Sequence, residues 1–273
     1  MKQILFVGGG HDFPRGAFNF LLSLQQQEPV SVMGLFFSPI NYEGSASAAY
    51  IPMATAYERV TEKERESVSA NKALFAKECK KHYIRYAIHE NEEQWDKGIL
   101  AKESRFADLI LLSGELFYAD ADARQPNLFL NEALHEAECP LLIVPEDYSN
   151  CNHLFVAYDG SKESLFAMKQ FSYLFPHLTD LPMEVVYVKD EVSDGIPDLE
   201  HLRHYSRLHY GCMSFSKLHF KAAHYFATWI GERQHVMLIT GCYGRPAMSY
   251  VMKKSFAEEV INEHKLPVFI AHP

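Results

Sequence analysis

Val236-Met237-Leu238-Ile239-Thr240-Gly241-Cys242-Tyr243-Gly244-Arg245 is the stretch on which the reading of this chain turns. Four apolar residues run into a small hydroxyl residue, two glycines follow three positions apart, and an apolar-periodic run begins near Ser249. A wholly apolar run suits a strand buried on both faces of a parallel sheet. The order therefore predicts a strand, a tight turn and a helix at the carboxyl edge of that sheet. Glycine admits positive φ and lets backbone N–H groups approach a ligand. An ordinary strand-to-helix turn uses the same residues, so both readings stand at this point.

Working outward, the 273 residues allow one large α/β domain or two smaller ones, and an apolar fraction of 48% supplies a substantial core. No uninterrupted apolar run is long enough to cross a membrane. The opening Met1–Val7 is cut short by Gly8-Gly9-Gly10-His11-Asp12 and lacks a small-residue cleavage signal, so it reads as a first strand. Cysteines at 79, 139, 151, 212 and 242 form no CxxC pair, as expected of free thiols in a reducing cytoplasm. Residues 1–149 hold 14 Lys/Arg and 22 Asp/Glu, a net −8, and residues 150–273 hold 12 and 13, a net −1. With no basic stripe, nucleic acid is not expected as a partner.

In chain order, residues 4–7 predict a strand, 13–27 a helix, 30–37 a strand and 40–53 a long connection over the carboxyl edge. A charged helix over about 61–81 follows, then a strand at 83–88, a helix at 92–106, a strand at 108–114, a helix at 128–138 and a strand at 141–144. This alternation predicts a doubly wound parallel sheet. Gly8-Gly9-Gly10 fails the dinucleotide fingerprint because Phe13 stands where its last glycine is needed. A tight structural turn or a small-ligand site remains.

The second half repeats the first. Leu154-Phe155-Val156-Ala157-Tyr158-Asp159-Gly160 is matched with Leu5-Phe6-Val7-Gly8-Gly9-Gly10-His11, and helices at 161–175, 199–209 and 221–230 alternate with strands at 183–188, 213–219, 236–240 and 267–271. Glu138–Val144 lies 127 residues before Lys265–Ala271, and the same offset sets Ser113-Gly114 beneath Thr240-Gly241. Two similar α/β domains, residues 1–147 and 150–273, account for this better than one continuous sheet. Their last strands, 141–144 and 268–271, each end a domain and are candidates for exchange or antiparallel pairing.

Val156-Ala157-Tyr158-Asp159-Gly160-Ser161, Thr240-Gly241-Cys242-Tyr243-Gly244-Arg245 and Ser255-Phe256-Ala257-Glu258-Glu259-Val260 ahead of Pro267–Ile270 resemble a tandem universal stress protein. Residues 1–149 resemble that family more faintly, through Ala107–Ile110 and Cys139–Pro145. The resemblance implies two tandem doubly wound, five-stranded parallel-sheet α/β domains of adenine nucleotide alpha hydrolase-like topology. One branch of the family binds ATP through glycine, two residues, glycine, nine residues, then glycine and Ser/Thr. Gly241, Gly244 and Ser255 match that pattern, while Lys254 replaces its last glycine. That lysine would either cap phosphate charge or fill the site and exclude nucleotide.

By the same resemblance, Asp159 lies beside adenine or ribose, Ala157 and Val188 lie near the base, and Arg245 belongs to the phosphate loop. Asp159-Gly160-Ser161 reads equally as a turn and helix cap. The first half departs further: Gly10 is matched with Asp159, Phe117 with Gly244 and Leu128 with Ser255. ATP or another adenine nucleotide is therefore expected in the second domain only, with no efficient catalysis, since no general base or metal-ligand set is recognisable.

His201, His204 and His209 lack a zinc-like spacing with cysteine, Asp159, Ser161 and His224 lack a nucleophile elbow, and Cys242 reads as a buried thiol. The two domains form an internal pair. A homodimer of such chains is the further expectation, with no nucleic acid and no membrane as partner.

Overall fold

A computed structural model describes residues 1–9, 12–37, 54–89, 97–114, 136–188, 195–218, 228–230, 233, 235–241 and 266–273. The first half runs β1 (Lys2–Gly9), α1 (Arg15–Gln27), β2 (Val30–Phe37), α2 (Ala54–Lys81), β3 (Arg85–Ile88), α3 (Lys97–Ser104), β4 (Leu109–Ser113) and β5 (Leu141–Val144). The second runs β6 (His153–Tyr158), α4 (Lys162–Leu174), β7 (Pro182–Val188), α5 (Leu199–His209), β8 (Cys212–Leu218), β9 (Val236–Thr240) and β10 (Val268–Ile270). The helices expected at 128–138 and 221–230 fall largely outside the described residues.

Strand order is β3-β2-β1-β4-β5-β10-β9-β6-β7-β8. Each half is the expected parallel five-stranded sheet with the same internal order. β5 and β10 pair antiparallel, with Phe269 opposite Leu142. The expected pairing of last strands is thus present, and it joins the halves into one ten-stranded sheet in place of two separate ones.

The apolar runs are buried on both faces, as crossover helices require. Ile4, Phe6, Leu142, Val156 and Phe269 face one side, with α1, α2, α4 and α5, whereas Leu5, Val7, Ile143, Phe155 and Val268 face the other, with Leu100 of α3 and Ile230. Across the join, the rings of Phe20 and Phe175 meet edge-on at 5.7 Å, and Phe175 also lies 5.7 Å from Phe269. A buried aromatic cluster therefore spans both halves.

Two expectations need correction. Leu154, Val156 and Tyr158 share the face of Ile4 and Phe6, while Phe155 and Ala157 share that of Leu5 and Val7. A one-residue slip moves every strand side chain to the opposite face, so Leu154 corresponds to Ile4 and Asp159 to Gly9, not Gly10. Register agrees: Val7 pairs with Leu112 and Ala157 with Thr240, which makes Ser113, not Gly114, the counterpart of Gly241.

The third strand begins at Arg85, not Tyr83. Tyr83 is left-handed at φ 56°, its amide donates to the Lys80 carbonyl, and the Ile84 amide donates to the Cys79 carbonyl. This closes α2 with a Schellman turn, which consumes two residues whose apolar character reads as strand.

Candidate functional site

β6 is the first strand of its half. The chain moves outward from it through β7 to β8, then returns to β9 on its other side. Ligand crevices in open α/β sheets lie at such reversals, beyond the carboxyl ends of the strands. The Ala157–Thr240 register pair means that Gly241 and the chain after Tyr158 leave the sheet side by side. Val188 ends β7, the neighbour of β6 on the other side. Ala157, Asp159, Val188 and Gly241 therefore come to the carboxyl edge of three adjacent strands. Gly244, Arg245, Lys254 and Ser255 lie outside the described residues, as do Phe117, Leu128, His224 and Cys242.

The turn after β6 has its own hydrogen bonds. Asp159 is exposed, and its Oδ1 accepts the Ser161 amide at 2.9 Å, the closure of an Asx turn. Gly160 stands at φ 83°, where a side chain would be strained, and a Cβ there would lie 3.2 Å from the Pro197 ring. Ser161 caps α4 by accepting the Ser164 amide at 3.2 Å. Glu163 adds negative charge to the first turn, where the helix dipole favours it. Buried Tyr158 pairs with Tyr187 on β7; burial first, then the nearby Asp198 and Asp159 carboxylates, push its phenol above the ordinary value.

Gly241 proves to be a packing glycine. A Cβ there would come within 2.1 Å of the Glu163 carbonyl carbon and 2.4 Å of the Ser164 amide nitrogen, so the exit of β9 lies directly on the first turn of α4. Its φ is outside the positive range. Gly8 is of the same kind: it lies within β1, and a Cβ would meet the Phe36 ring at 2.8 Å. Close packing by Phe36, rather than a turn, accounts for that glycine.

The corresponding edge of the first half is furnished differently. Glu146, just past β5, accepts the Arg15 amide at 2.9 Å and the Gly16 amide at 3.4 Å through Oε2, while Ser113 Oγ donates to Oε1 at 2.9 Å. α1 receives no cap from its own Pro14. Sequence inspection missed Glu146 because its partners stand 131, 130 and 33 residues away, and no local pattern marks such a contact.

His201 and His204 are exposed on α5, and His209 stacks on Tyr205 with ring centroids 4.3 Å apart. Among the described residues no three His, Cys, Asp or Glu side chains converge on a metal position. Burial pushes the Cys79 and Cys139 thiols up to about 12 and that of Cys151 up to about 11, so none is poised as a nucleophile.

No family model and no curated protein matches the sequence. Solved structures do match the fold. A universal stress protein from Archaeoglobus fulgidus DSM 4304 aligns over 99% of this chain and 96% of its own, with a TM-score of 0.67 and 14% identity. A Pseudomonas aeruginosa UCBPP-PA14 protein provisionally classed as a universal stress protein aligns over 100% and 94%, at 0.60 and 15%. A functionally unknown protein from Pseudomonas aeruginosa PAO1 aligns over 100% and 93%, at 0.59 and 14%. The chain has the universal stress protein fold along its whole length. Among the described residues no helix is long and apolar enough to cross a membrane.

Proposed function

We propose that the chain is a cytoplasmic, stress-response-like protein that takes an adenine nucleotide at the crevice between β6 and β9. One observation carries this reading: Ala157, Asp159, Val188 and Gly241 reach one edge at the strand-order reversal. Ala157 and Val188 flank the base, and Asp159, exposed and with one oxygen outside its turn, orients base or sugar. Gly241, Gly244 and Arg245 begin the phosphate loop, and Ser255 donates to phosphate. No hydrolysis is assigned. Residues 1–147 and 150–273 act as an internal pair of domains, and two such chains associate as a homodimer.

Calorimetry with ATP and AMP tests the reading, on the wild type and on Gly244→Arg. Heat of binding that disappears in the variant supports it; no binding to the wild type overturns it. Lys254→Gly separates two roles of that lysine. A phosphate ligand would lose ATP affinity relative to adenosine, whereas a side chain filling the cavity would, once removed, strengthen ATP binding. For self-association, a light-scattering mass of one chain at every concentration rejects the dimer.

A second reading, a nucleotide-free interaction protein, draws on a specific observation. Asp159, Ser161 and Gly241 already have structural work, in the turn, the cap and the contact with α4. Intact folding without nucleotide binding would favour it.

A further inference from the structure

We propose that Glu146 is a built-in anion, which fills the first-half counterpart of the second-half crevice and closes it to ligands of like charge. The inference concerns the first half alone and stands or falls apart from the nucleotide reading. A helix N-terminus presents unpaired amides and a positive dipole end, and it attracts an anion where one can reach. α1 begins after Pro14 without a side-chain cap, so its amides need an outside acceptor. Glu146 supplies it through Oε2, to Arg15 and Gly16, and turns Oε1 to the Ser113 hydroxyl. Both carboxylate oxygens are thus held, by donors from α1 and from the end of β4.

The surrounding residues fit that arrangement. Gly16 lets the backbone beyond β5 settle on α1, since a Cβ there would lie 1.9 Å from the Pro145 carbonyl oxygen. Phe36 closes over Gly8 on the neighbouring strands. The second half lacks the counterpart at each point. Gly241 has no hydroxyl in the place of Ser113, α4 caps itself through Ser161, and exposed Pro273 stands where the repeat places Glu146. The second half satisfies its helix from its own N-cap, while the first draws on a carboxylate just past the last strand of its half.

Thermal melts of the wild type, Glu146→Gln and Glu146→Ala test this, each in sodium formate, inorganic phosphate or sodium chloride at matched ionic strength. Glu146→Ala should melt about 2–8 °C below the wild type. Formate or phosphate, but not chloride, should restore at least half of that loss over and above any shift they cause in the wild type and in Glu146→Gln, whose amide oxygen still accepts. Equal melting of Glu146→Ala and wild type overturns the proposal, as does an anion effect on Glu146→Ala no larger than that on the other two proteins. Should Glu146→Ala fail to fold, amide exchange of the wild type decides: Arg15 and Gly16 should be protected, and exchange at the rate of free amides overturns the assignment.

Discussion

Ser113 and Gly241 hold the same place in the two halves, one residue past the last register pair that their strand makes with the first strand of its half. Ser113 donates to a carboxylate, whereas Gly241 leaves room for a helix to touch the backbone. The same position is thus used for a polar bridge in one half and for steric clearance in the other.

Clearance at Gly241 has a measurable cost. Gly241→Ala puts a methyl group against the Glu163 and Ser164 backbone, which no rotamer change relieves, and should destabilise the fold by about 1–3 kcal/mol. Gly114→Ala, where the nearest atom is at 3.5 Å, should change stability by less than about 1 kcal/mol. Urea midpoints at constant m compare the two.

Asp159 combines a turn with the proposed recognition of base or sugar. Asp159→Asn keeps an acceptor for the Ser161 amide and should leave stability within about 0.5 kcal/mol. Loss of a charge-assisted hydrogen bond should still weaken nucleotide about tenfold, read by calorimetry. Unaltered affinity in Asp159→Asn would confine the residue to the turn.

Phe175 lies between the halves. Phe175→Ala removes a fully buried ring from contact with Phe20 and Phe269 and should cost about 3–5 kcal/mol. Amide protection should fall in α1 as well as in α4. Loss confined to the second half would show that the cluster does not couple them.

The buried thiols set an alkaline limit. Cys79 and Cys139 are raised by burial from an ordinary 9.0 to about 12, and Cys151 to about 11. Below pH 9 both folded and unfolded chains keep these protons. Above it the unfolded chain releases them first, so stability should fall steadily up to about pH 11–12. Urea midpoints across pH 8–11 check the slope. Replacing Cys79 with Ala should flatten it.

Much of this fold is legible locally. Strands at 30–37, 141–144 and 236–240 and the helix at 199–209 coincide with their expected bounds, and for the strands apolar-rich runs bounded by Pro29, Pro140, Pro145 and Gly241 leave little choice. The in-and-out phase of the repeat is not legible. Ile4 and Leu5 point to opposite faces yet are equally apolar, because both faces are buried, so matching by residue character slips by one at Leu154. At the site, the Asx turn and the Ser161 cap follow from neighbours in sequence. Glu146 and the contact beneath Gly241 arise only when distant segments meet.

The antiparallel seam also imposes a timetable on synthesis. β5 is complete early, yet the strand that covers its outer edge, Val268–Ile270, is translated only after residues 145–267. Until then, a first half emerging from the ribosome carries a bare strand edge, which invites pairing with another nascent copy. Slow elongation beyond Val144 prolongs that exposure, and a chaperone shielding the edge of β5 shortens its consequences.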